Sequence, residues 1–142
     1  MDQSAQLDVA IRTLLRLLTI DERSLSADIG TVPFNPIDLE TLSYLHRHPG
    51  SVAKAIAAYL GVRSTTMQSV VDRLQKRDLL QRDKSALKGR AVALTLTKEG
   101  MAFRQHIHVQ NLKNCAQMLE YVPENERANF VQNMSKIAAK FS

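Results

Sequence analysis

Tryptophan is absent from this 142-residue chain, aromatic residues make up only 5% of it, and Cys115 is its one cysteine. With so few rings, Leu, Ile, Val and Ala must fill any core, and helices pack that mixture well. A single cysteine excludes an intramolecular disulfide and fits a reducing compartment. No stretch approaches the roughly 18 uncharged apolar residues of a membrane span. The start, Met1-Asp2-Gln3-Ser4, lacks the basic-then-apolar order of a signal peptide. A cytoplasmic protein is expected. GxSxG, Walker, GxGxxG and HExxH signatures are missing, so no catalytic residue is nominated and no enzyme is expected. His46 and His48, like His106 and His108, occupy alternate positions. On a helix such residues point in different directions. Without CxxC or HxxxH, neither a metal site nor a cofactor is expected. Cys115 is expected to be a packing cysteine.

The net charge of +5 is concentrated in one segment. Residues 63–90 hold Arg63, Arg73, Lys76, Arg77, Arg82, Lys84, Lys88 and Arg90 against Asp72, Asp78 and Asp83. That segment alone accounts for the excess, and the remainder of the chain is neutral. A basic stripe on a neutral body is the footprint of a protein that binds a phosphate backbone. A solvated charged face would give the same count.

Apolar periodicity divides the chain into helices and one hairpin. Leu7, Ile11, Leu14, Leu15, Leu18 and Leu25 recur at helical spacing over 4–26, and Val9 and Leu17 widen the apolar surface. A helix apolar on more than one side needs more than one neighbour, which a partner subunit can supply. Residues 28–33 read as a loop. Asn35 as cap, Pro36 in the first turn, Asp38 at the positive dipole end and a Phe34–Leu39 staple start a second helix, ending near Arg47 before Pro49-Gly50. Ser51 is the expected cap of a third, short helix with Val52, Ile56 and Leu60 on one face, stopped by Gly61. A fourth spans 64–77, burying Met67, Val70, Val71 and Leu74. Leu79–Arg82 and Ala91–Leu96 read as strands joined by a basic loop over 83–90. Thr97 caps a long helix to about Tyr121, with Phe103, Ile107, Leu112, Met118 and Leu119 near its inner face. After Pro123 a last helix carries Phe130, Met134, Ile137 and Phe141.

Helix, short glycine-bearing turn and helix, followed by a hairpin, is the order of a winged helix-turn-helix. The fold class expected is mainly α with a small β-wing and terminal dimerisation helices. The chain is read as one domain, 1–142. Its DNA-binding part covers 34–97, and its dimerisation helices cover 4–27 and 98–141. A recognition helix presents its early residues to base edges in the major groove while flanking groups hold phosphates. Those residues are Arg63, Ser64, Thr65, Thr66, Gln68 and Ser69, with Arg73 further along. Gln68 is the best base reader, because a carboxamide pairs bidentately with adenine. Lys84, Lys88 and Arg90 are placed in the wing, to meet phosphate or the minor groove.

These residues resemble the MarR family of bacterial winged-helix regulators. The resemblance rests on Leu42-Ser43-Tyr44-Leu45, His48-Pro49-Gly50, Leu60-Gly61-Val62, Val71-Asp72-Arg73-Leu74 with Lys76-Arg77, and Gly89-Arg90-Ala91-Val92 with Leu94-Thr95-Leu96-Thr97-Lys98-Glu99-Gly100. It runs from Pro36 to Gly100, with compatible helices on both sides. It implies a homodimer through the terminal helices, here Leu7, Ile11, Leu14, Leu18, Met118, Phe130, Met134 and Ile137. It also implies control of transcription at a near-palindromic operator, an Asp72–Arg90 pair anchoring wing to helix, and release by a small aromatic or phenolic effector. Arg16, Phe34, Tyr44 and His46 are the effector-cleft candidates. The chain departs from the family pattern in three places. The wing's usual acidic turn is Lys84-Ser85-Ala86-Leu87-Lys88, a frequent arginine is Ser69, and the glycine after Lys76-Arg77 is Asp78, which takes a left-handed turn less readily. The altered wing and Ser69 leave a protein-interaction module without specific DNA binding as the alternative.

Overall fold

The computed structural model describes residues 2–19, 36–83 and 91–142. The described elements run α1 (Gln3–Thr19), α2 (Pro36–Arg47), α3 (Ala53–Leu60), α4 (Ser64–Lys76), β1 (Leu80–Asp83), β2 (Ala93–Leu96), α5 (Lys98–Glu120) and α6 (Glu124–Phe141). The chain divides into two compact units, Met1–Arg104 and Gln105–Ser142, and α5 begins in the first and continues into the second. The expected continuation of the first helix past Thr19, the 28–33 loop, the Asn35 cap and the Phe34–Leu39 staple lie outside the described residues or depend on them.

The core of the first unit is aliphatic. Leu42 and Leu45 of α2, Ile56 and Ala57 of α3, and Met67, Val70, Val71 and Leu74 of α4 pack with Leu79, Leu80 and Leu94. All four apolar positions of α4 are at most 1% exposed, so the expected buried stripe is the observed one. Fully burying such a side chain contributes roughly 1.5–3 kcal/mol, and this holds α4 in one rotational setting. Tyr44, Ala53, Leu60, Val62 and Phe103 pack around the cluster.

Turn chemistry fixes the helix ends. Gly61 caps α3 in the left-handed region at φ 71°, with its N–H directed to the carbonyls of Ala57 and Ala58. That conformation costs glycine little. Asp78 ends α4 in the same region, at φ 58°. Its N–H donates to the Gln75 carbonyl and the N–H of Leu79 to that of Leu74, which is a Schellman closure. The third helix departs from expectation at its start. Val52 stands at the cap position without a side-chain hydrogen bond, while the Ser51 hydroxyl donates back to the His48 carbonyl at 2.7 Å. Ser51 is instead recruited by the sheet, forming an antiparallel bridge with Leu94.

Both strands begin later than the sequence pattern, β1 by one residue at unchanged length and β2 by two residues and correspondingly shorter. β1 pairs with β2 antiparallel, with Leu80 opposite Leu96 and Asp83 opposite Ala93. Thr97 caps α5 as expected, its Oγ1 accepting from the Gly100 N–H at 2.9 Å. The same hydroxyl donates to the Asp78 carbonyl, and the Thr97 N–H donates to the Leu79 carbonyl. The end of the recognition helix is thereby tied to the start of α5.

In α5, Ile107 is buried and Phe103, Met118 and Leu119 are half-buried, but Leu112 is 56% exposed. Leu112 is therefore not covered within the chain itself. Cys115 is also exposed, so the packing role expected of it is not the one observed. Both stand on a polar stretch of α5 that includes Asn111, Lys113 and Gln117. Every residue from Ala128 to Ser142 is exposed.

Candidate nucleic-acid interface

Arg63 precedes α4 in extended conformation at φ −72°, ψ 154°. Arg63, Ser64, Thr65, Gln68 and Ser69 are exposed and Thr66 is half-buried. With 3.6 residues per turn, Thr65, Ser69 and Lys76 stand opposite the buried stripe, and Gln68 flanks them. The face is short-chained and polar at its start and basic at its end. The Ser69 hydroxyl donates to the Thr65 carbonyl at 3.2 Å, so its donor is used within the helix and its lone pairs remain for a partner.

Arg73 is placed differently from the other candidates. Its Nη2 donates to Asp38 Oδ1 at 2.7 Å and its Nε to Oδ2 at 3.4 Å. The Asp38 side chain is 3% exposed and that of Arg73 41%. The hydrogen bond that Arg73 donates to Asp38 raises the guanidinium above its usual range, outweighing partial desolvation. Since arginine is already cationic at any physiological pH, the pairing changes its geometry and not its charge. Sequence reasoning gave Arg73 to bases or phosphates because its position lies on the polar side of α4. It missed that Asp38, read as a dipole partner, is buried and faces α4 across the core.

The wing candidates Lys84, Lys88 and Arg90 lie outside the described residues, as does Phe34. The resemblance paired Asp72 with Arg90, but the described partner of Asp72 is Arg82. Its Nη2 donates to Asp72 Oδ1 at 2.7 Å, and its Nη1 donates to Gln75 Oε1. Arg82 was counted only as charge. The usable signal was its spacing from Leu80, which puts both on one face of the strand.

Beside this bridge a cleft of about 300 Å³ opens between α4 and the sheet, lined by Val52, Lys54, Gln68, Val71, Arg82 and Leu94 among others. Gln68 therefore stands on the wing side of the recognition helix. Of the effector-cleft candidates, Tyr44 and His46 point to different sides of α2. The Tyr44 ring meets His48 at 4.8 Å and Tyr59 at 5.0 Å, and Arg47 lies over the Tyr59 ring at 5.7 Å. His46, two positions on from Tyr44, is turned to a different side of α2 and is exposed. Among the described residues no group of three His, Cys, Asp or Glu is placed to hold a metal ion, and no helix is long and apolar enough to cross a membrane.

Comparison with known proteins agrees with this geometry. No curated protein sequence matches the chain. Solved structures do match over its full length. Streptococcus pneumoniae FabT, in complex with DNA, superposes with a TM-score of 0.82 at 16% identity, covering 99% of this chain and 97% of that one. A mutant of S. aureus MepR gives 0.79 at 16% identity, with 100% of each chain covered. The PcaV transcriptional regulator from Streptomyces coelicolor, in complex with its natural ligand, gives 0.69 at 21% identity, covering 100% and 98%. At such identities these likenesses show the fold. In sequence, residues 33–91, from ahead of α2 to just before β2, match the MarR family. In this winged-helix segment the chain is similar to the MarR family.

Proposed function

We propose that the chain acts as a homodimer that represses transcription at a near-palindromic operator and is released by a small aromatic or phenolic effector. The observation that carries the reading is the polar face of α4 (Arg63, Ser64, Thr65, Gln68, Ser69) on a helix anchored by four fully buried side chains. A rigid helix with short polar groups suits base edges in a groove about 12 Å wide. Thr66 flanks that face, Arg73 braces it, and the wing cations Lys84, Lys88 and Arg90 supply phosphate or minor-groove contacts. A two-fold dimer sets two such helices on two half-sites, which is why a near-palindrome is expected. A DNA target implies work in the cytoplasm. The DNA-bound FabT and ligand-bound PcaV structures are the precedents for target and effector.

The test is titration of two variants against a duplex selected by the wild-type protein and against a scrambled duplex. Gln68→Ala is expected to cost about 1–3 kcal/mol on the selected duplex and much less on the scrambled one. Lys88→Ala is expected to weaken both alike and to lower the salt slope by about 0.9, the value for one phosphate left unneutralised. Equal weakening by Gln68→Ala on both duplexes would assign base reading to Thr65 and Ser69 instead. A wild-type protein with no salt-dependent duplex binding would favour a protein partner.

A further inference from the structure

We infer that Arg82 is a positioning residue that sets the wing against the recognition helix, so that both engage DNA together; this rests on the DNA-binding reading above. Leu80 is buried at the root of β1. Arg82, two residues on, shares its face of the strand and lies opposite the core residue Leu94. There its planar fork meets two acceptors one helical turn apart on α4, Asp72 and Gln75. A guanidinium suits this geometry because its donors are fixed in a plane and span two acceptors at once, whereas the donors of an ammonium rotate about one point charge and hold no such fork. On the opposite strand, Leu94, the register partner of Arg82, is held by its bridge to Ser51. Arg82 does the corresponding work for β1 at the same level, on the side facing α4.

Asp72 gives the arrangement its sign. By helical rotation it stands on the outward side of α4, near Thr65, Ser69 and Lys76, and its side chain is 59% exposed. An unpaired carboxylate there would repel DNA phosphates, so its value to a DNA-binding helix lies in what it holds. Arg82, 28% exposed, neutralises the carboxylate and uses it as an anchor.

Simple electrostatics and this arrangement predict opposite outcomes for one isosteric change. Asp72→Asn removes a negative charge from the DNA side and should tighten binding if charge alone matters. If Arg82 positions the wing, Asp72→Asn weakens binding to a duplex selected by the wild-type chain by about tenfold. Hydroxyl-radical footprinting then loses protection on the wing side while protection of the major groove over α4 persists. Arg82→Ala is expected to give the same footprint, and the Asp72→Asn/Arg82→Ala double variant is expected to be no weaker than Arg82→Ala alone, because both changes remove one strut. Arg82→Lys, which keeps the charge and loses the fork, falls between. Thermal melts of each full-length variant report folding, and Asp72→Asn, at an exposed position, reads the effect if Arg82→Ala does not fold. Tighter or unchanged binding by Asp72→Asn overturns the inference. So does additivity in the double variant, or wild-type affinity in Arg82→Lys. Failure of the wild-type chain to select any duplex removes the DNA reading itself, and the inference with it.

Discussion

At Gly100 the first turn of α5 runs so close to the preceding segment that a Cβ would lie 1.8 Å from the Leu79 carbonyl oxygen. That oxygen already accepts the Thr97 N–H, so neither partner can move without opening the cap. Gly100→Ala is therefore expected to destabilise by about 3 kcal/mol or more, although alanine is the better helix former by about 1 kcal/mol. Denaturant unfolding measures the difference, and a neutral result would mean that the junction yields more easily than its close approach implies. Asp78 presents the reverse case. It holds a left-handed conformation at φ 58°, disfavoured for any residue with a Cβ, and it sets a negative charge at the negative end of α4. Asp78→Gly is expected to stabilise by about 0.5–1 kcal/mol after allowing for glycine's freer unfolded chain. Asp78→Asn keeps the Cβ and removes the charge, so its melting shift separates the two contributions. A loss of stability in Asp78→Gly would show that the aspartate holds the turn through contacts of its own.

The helix-turn-helix is braced by an ion pair that joins the first turn of α2 to the third turn of α4. Arg73→Met keeps the aliphatic stem and takes two donors from buried Asp38. The expected cost is about 2 kcal/mol, below that of breaking a fully buried pair because the guanidinium is half-exposed. The Asp38→Leu/Arg73→Met double variant is expected to recover much of it, since an apolar pair replaces a buried charge. Chemical unfolding of both variants checks the sign of that recovery. If the double variant were the less stable, Asp38 would be held mainly by other partners. The same region shows why some elements were legible in the sequence and others were not. The α4 stripe, the Gly61 stop and the Thr97 cap each follow from local spacing or local turn chemistry. The positions missed were decided by groups distant in the chain. Leu94 takes Ser51 from its helix, buried Asp38 binds Arg73, and α4 binds Arg82. Leu112 and Cys115 are exposed within the chain for a different reason, because α5 carries no sustained apolar stripe from which an inner face could be read.

Over the whole molecule, apolar side chains remain uncovered in each unit taken by itself. Leu7, Ile11, Leu14 and Leu18 of α1 are 41–57% exposed, and Phe130, Met134 and Ile137 of α6 are 42–54% exposed. With Met118, which is half-buried, they are the residues proposed to meet in the dimer. Sedimentation at low micromolar concentration is expected to give close to twice the 15.9 kDa chain mass. Phe130→Asp with Ile137→Asp is expected to give monomers that bind the selected duplex at least about a hundredfold more weakly, because two half-sites are no longer engaged as one. Monomers of undiminished affinity would count against the dimer. The kind of association open to the chain also follows from its small sheet. β2 is flanked by β1 on one side and bridged by Ser51 on the other. Among the described residues this leaves only the free side of β1, a strand four residues long that ends in Arg82 and Asp83. Short, charged edges make poor templates for adding strands from other molecules. Among the described residues, sticky contacts between copies are thus left to helices, and the two-fold pairing proposed for them would close on itself instead of growing into open-ended fibrils.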